Sequence, residues 1–134
     1  MDAGARPIDG LVEAMNAHDP DSMIQSLEPD YRSEQPLHPE AGFSGRDQVA
    51  KNWSILFEEV PDLEVDLLRR AYADGEVWTE LRVHGQKRDG LPFEYRGVTI
   101  WGLRDERVSW ARFYFETVVL QGKGIDERTR ELLD

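Results

Sequence analysis

Cysteine is absent from the chain. That removes disulfides, thiolate zinc centres and cysteine nucleophiles, and it accords with a reducing, cytoplasmic setting. Long apolar runs are missing too. None approaches the roughly 20 residues that cross a bilayer. The opening MDAGARPIDG lacks the apolar stretch of a secretory signal, so the sequence reads as soluble and unexported. Basic charge is in short supply, with 16 Lys and Arg against 27 Asp and Glu and a formal net charge of −11. That balance opposes nucleic acid and anionic membrane as partners, since both need a basic face. There is no Gly-rich phosphate loop and no G-x-S-x-G nucleophile motif. The three histidines do not pair with carboxylates at ligand spacing along the sequence, so no metal site and no other cofactor is expected. Internal repeats and low-complexity segments are also absent.

What is present suits one α+β domain. The 134 residues are 40% hydrophobic, enough for a core without staples. Residues 1–6 read as a loose, flexible tail. From Pro7, the residues Ile8, Leu11, Val12 and Met15 form one helical stripe. Asp19 is placed to cap a second short helix with Pro20 at its first position, Met23, Ile24 and Leu27 on its buried side and Pro29 as its stop. A short strand follows from Tyr31 to Gln35, then a loop stiffened by Pro36 and Pro39. A long helix opens at Ser44 or Gly45 and ends near Val60, with Val49, Trp53, Leu56, Phe57 and Val60 as its apolar stripe.

After Pro61 the period changes from about 3.6 to 2. Leu63–Leu67, Val77–Gly85, Phe93–Leu103 and Val108–Leu120 read as strands of an antiparallel meander. They are separated by turns at Ala73–Glu76, Lys87–Gly90 and Arg104–Glu106. A short helix closes the chain from about residue 125 to 133. Helices that precede such a meander must lie on one face of its sheet.

This order, together with Gln35-Pro36…His38-Pro39, Phe43-Ser44-Gly45-Arg46-Asp47-Gln48, Pro61-Asp62-Leu63, Arg96-Gly97-Val98 and Ala111-Arg112-Phe113-Tyr114-Phe115-Glu116, resembles the SnoaL-like (polyketide cyclase-like) branch of the nuclear transport factor 2 superfamily. The resemblance covers a core of about residues 8–120 and treats residues 1–134 as a single domain. It implies a cone-shaped, curved sheet against three helices, a pocket between the two layers, and a homodimer formed through the sheet's outer face.

The chemistries known for the fold meet this sequence as follows. Ketosteroid isomerases of this fold place an Asp base before a proline, where Gln35 stands here. Their oxyanion-hole Tyr aligns with Leu11, and their protonated Asp with Gly97 or Val98. A neutral amide does not abstract a proton at neutral pH, so that mechanism is rejected. Epoxide hydrolases resembling limonene epoxide hydrolase use an Arg and two Asp. Here Glu80 with Arg82, and Arg112 with Tyr114 and Glu116, supply similar groups in a different order. SnoaL-type cyclases use an Asp and a His, for which His38, His84, Glu80 and Glu116 are the available substitutes.

His38 and Glu80 are therefore the candidate catalytic residues. His38 sits on a rigid loop at a pKa suited to proton transfer, or is simply a loop residue bonded to backbone or to Asn52. Glu80 shares one strand face with Trp78, Arg82 and His84. It is either an acid/base group in a curled pocket or one half of an ordinary ion pair. Gln35, Asn52, Trp53, Trp78, Tyr114 and Glu116 are the candidate substrate-binding residues, the aromatics because they bring polar handles to apolar walls. The expected ligand is a small apolar or carbonyl-containing molecule. The expected activity is that of a cofactor-free isomerase, cyclase, dehydratase or hydrolase; the alternative is a non-catalytic ligand-binding or dimerisation module.

Overall fold

The computed structural model describes residues 5–134. Helix α1 spans Ala5–Asn16 and α2 spans Pro20–Gln25. Strand β1 is Leu27–Glu34, followed by a 3-10 turn at Pro39–Ala41 and a two-residue strand β2, Phe43–Ser44. Helix α3 is Asp47–Glu59. Strands β3 (Glu64–Ala73), β4 (Glu76–Gln86), β5 (Pro92–Arg104) and β6 (Arg107–Thr117) follow, and α4 (Ile125–Leu133) ends the chain.

The strands form one curved six-stranded sheet in the order β2-β1-β6-β5-β4-β3. Strands β3 to β6 are the antiparallel meander that the period-2 alternation predicts. Strand β1 adds to β6 in parallel, and β2 pairs back onto β1. Two-residue turns close two of the hairpins. At Asp74-Gly75 both residues take positive φ, 52° and 78°, the backbone that matches the twist of the flanking strands.

Helices α1, α2 and α3 cover one face only. The α1 stripe of Ile8, Leu11 and Met15 is fully buried against that face. Helix α2 is capped as the sequence predicts. The Asp19 side chain accepts from the Ser22 amide at 3.2 Å and from the Ser22 hydroxyl at 2.6 Å, and these bonds hold its carboxyl below the usual range. Helix α3 buries Val49 and half-buries Trp53, Leu56 and Phe57 before Pro61 stops it.

Several boundaries differ from the sequence reading. Ala5 and Arg6 belong to α1 rather than to a tail, and residues 1–4 of that expected tail lie outside the described residues. Strand β1 starts at Leu27, before Pro29, because α2 has already ended at Gln25. Its pairing with β6 is irregular between Leu27 and Arg32, where a proline without an amide donor is tolerated. Strand β3 runs on to Ala73. A register shift between Leu67 and Arg69 breaks the alternation there, so a period-2 reading stops short. Phe43–Ser44 pairs as a strand and α3 opens at Asp47, later than predicted.

Candidate ligand-binding site

Between the helix layer and the inner face of the sheet lies a cavity of about 200 Å³. Strand β1 is the polar wall. Alternation turns Tyr31 and Ser33 inward, and Gln35 continues the row just past the strand's end. The other sheet walls are apolar and aromatic: Leu81 and Val83 from β4, Phe93, Tyr95 and Trp101 from β5, and Phe113 and Phe115 from β6. Helices α1 and α2 contribute Leu11, Met15 and Met23, and α3 contributes Val49, Asn52, Trp53 and Leu56. Among the described residues, no aspartate, glutamate, lysine, arginine or histidine lines the space.

The aromatic wall is fixed by edge contacts. Trp101 meets Phe113 edge-on at 5.7 Å, and Phe113 meets Phe115 in the same way at 5.8 Å. The indole Nε1 of Trp101 donates to the Thr79 hydroxyl at 2.8 Å, so this buried polar group is satisfied within the wall. Two phenols border the cavity. Burial pushes the Tyr31 hydroxyl well above its ordinary pKa, with the Ser33 hydroxyl acting weakly in the opposite direction. Burial, assisted by the Glu116 carboxylate, also raises Tyr95. Both phenols are neutral near pH 7 at their ordinary pKa, and the shifts extend that state to higher pH.

The sequence candidates divide sharply. Gln35, Asn52 and Trp53 border the cavity, and Asn52 accepts a hydrogen bond from Gln48 at 2.8 Å. His38 does not. It stands exposed before the 3-10 turn, where the loop carries it past the rim. Glu80, Trp78, Tyr114 and Glu116 lie on the opposite side of the sheet. Strict alternation gives the inner face to Val77, Thr79, Leu81 and Val83 of β4 and to Phe113 and Phe115 of β6. The expectation that curling would fold the charged face of β4 into the pocket is thus corrected: the pocket uses the same face as the core.

On the outer face the charges compensate one another across strands. Glu80 pairs with Arg69 at 3.7 Å and Arg96 at 3.4 Å, and Arg82 pairs with Asp66 at 3.5 Å and Glu94 at 2.9 Å. Arg112 reaches Glu34 at 2.9 Å. Cross-strand register also assembles what sequence spacing hid. His84 lies opposite Glu64 and bonds Asp66 at 3.0 Å, so the ligand atoms of Glu64, Asp66 and His84 fall within 4.8 Å of one another. The guanidinium of Arg82 against Asp66 makes this cluster part of the ion-pair lattice. Sequence reading missed Tyr31, Tyr95 and Phe113 as lining residues. The inward parity of β1, set by Tyr31 and Ser33, was the available signal.

The sequence model of the SnoaL-like domain family matches residues 8–111. Among solved structures, a provisionally assigned SnoaL-like polyketide cyclase from Jannaschia sp. CCS1 is 20% identical, with 85% of each chain covered and a TM-score of 0.72. An LEH-like epoxide hydrolase from M. tuberculosis is 19% identical over 85% of this chain and 83% of its own, with a TM-score of 0.71. A protein of ketosteroid isomerase-like fold from Catenulispora acidiphila DSM 44928 is 16% identical over 81% of this chain and 83% of its own, with a TM-score of 0.70. No curated protein sequence matches the chain. No helix among the described residues is long and apolar enough to cross a membrane.

Proposed function

Because the chain belongs to the SnoaL-like domain family of the nuclear transport factor 2 superfamily, we propose that it works by holding one small, mostly apolar molecule in the cavity between sheet and helices. The observation that carries this reading is the lining itself. It is an aromatic and aliphatic shell with a short polar row on β1 and, among the described residues, no charged side chain, the composition of a small-molecule site. Gln35 and Asn52 orient the ligand at the mouth, and Trp53 forms part of the wall.

The test is a titration of purified protein with indane, followed through the tryptophans that border the cavity. Saturable quenching is expected. Trp53→Ala weakens binding about tenfold, in line with the loss of a large aromatic contact, and Trp78→Ala on the far face leaves it unchanged. Non-saturable quenching, or equal sensitivity to the two substitutions, defeats the proposal.

A second reading is catalytic: cofactor-free cyclisation or isomerisation of a carbonyl compound. The two neutral phenols favour it, because such donors stabilise negative charge that develops on an oxygen. It lacks a protein base within the cavity, since His38 and Glu80 stand outside. His38→Ala and Glu80→Gln therefore leave both binding and any turnover intact.

We further propose that a second copy of the chain docks on the outer face of the sheet. The charges there are already paired, and Trp78 and Tyr114 remain 43% and 37% exposed.

A further inference from the structure

We propose that the cavity selects an uncharged molecule with an oxygen acceptor, a cyclic ketone or lactone of one or two rings, and that the Tyr31 hydroxyl is the donor that reads this oxygen. This rests on the ligand-binding reading above and narrows it.

Charge comes first. A carboxylate or ammonium ligand would leave water for a space whose lining, among the described residues, offers no counter-ion, and a buried charge without a partner is strongly disfavoured. The protein's net charge of −11 adds long-range repulsion of anions. Size comes second. An engineered apolar cavity of about 150 Å³ holds benzene. A space of about 200 Å³ therefore suits one or two small rings and is tight for a larger fused system.

The oxygen is read by position and by the state of the phenol. Tyr31 is only 2% exposed, yet it borders the cavity. Its strand is clamped from the other side, where the Gly45 amide donates to the Tyr31 carbonyl at 2.6 Å. A phenol is protonated throughout the neutral range and burial only widens that range, so a proton is present to donate. Ser33, two residues along the same strand face, is the polar neighbour of the phenol and is itself buried. Trp101, another buried donor in the wall, is already committed to Thr79. The remaining polar groups, Gln35, Asn52 and Tyr95, are less enclosed. Tyr31 is thus a buried donor on the polar wall of a mostly apolar chamber. A ligand oxygen placed against it gains a hydrogen bond that the matching hydrocarbon cannot form.

The experiment compares three probes of one shape: 1-indanone, indane and indane-1-carboxylate. The ketone is expected to bind more tightly than the hydrocarbon and the carboxylate least. Tyr31→Phe should cost the ketone about three- to tenfold in affinity, the worth of one neutral hydrogen bond, and leave indane unchanged. Tyr95→Phe is the control and should discriminate far less. A readout needing no variant is the carbonyl stretch of bound 1-indanone in the wild-type protein, expected at lower frequency than in an alkane solvent and restored by Tyr31→Phe. A stretch at the alkane frequency, an equal loss for ketone and hydrocarbon in Tyr31→Phe, or carboxylate binding as tight as the ketone's overturns the inference. If none of the three binds, it is the ligand-binding reading that fails.

Discussion

Glu94 shows how a single side chain on the outer face is set by its neighbours. Arg82 donates to it at 2.9 Å. That bond, with the charges of Arg82, Arg96 and His84 behind it, holds the carboxyl below its ordinary value of 4.5 against the opposing effect of desolvation. The folded-state value is lower than the unfolded one. The pair's contribution to stability is therefore complete above the unfolded carboxylate range and is lost as pH falls through the folded value. Glu94→Gln should melt below the wild type at pH 7, and the gap should close on acidification towards pH 3. A gap of the same size at both pH values would show that Glu94 acts through packing and not through charge. At the same scale, Glu80 stands on the outer face between two arginines of neighbouring strands that pair with it.

Among the elements, α4 stands apart. No residue of it is buried, and Ile125, Leu132 and Leu133 are 79%, 82% and 85% exposed. Its ties are local: Thr129 donates back to the Ile125 carbonyl, and Lys123 pairs with Glu131. A nine-residue helix without tertiary packing is marginal in water. Deleting residues 121–134 should therefore shift the melting temperature by no more than about 2 °C. Amide exchange in α4 should be fast beside that of β5. Strong protection in α4, or a large drop on deletion, would mean that the helix is anchored. The sheet elements were the most legible in the sequence, because alternation and Asp-Gly turns record them directly. Strand β3 was cut short in that reading at Leu67-Leu68-Arg69, since an extra residue in one strand reverses the apparent parity without ending the pairing.

The whole molecule is a single curved layer with one face covered by helices and the other bare of them. The bare face is where self-association is argued. A twofold arrangement sets the same patch against itself, and Trp78 lies on it beside Ile100 and then Arg112 on successive strands. Trp78→Glu should turn a dimer into a monomer in light scattering while indane affinity is retained, because the cavity lies on the other side of the sheet. A wild-type chain that is monomeric at tens of micromolar ends the proposal.

The sequence by itself determined most of the order of elements, the family and the helical part of the core, because hydrophobic period, capping and turn chemistry are local and leave local marks. It also placed Gln35, Asn52 and Trp53 among the cavity residues. Only the tertiary structure decided which face of each strand encloses space. That choice follows from which side the helices cover, and it moved Glu80, Trp78, Tyr114 and Glu116 to the outside and Tyr31 to the inside. Parity along a strand names two faces; contact with another layer is what makes one of them a wall.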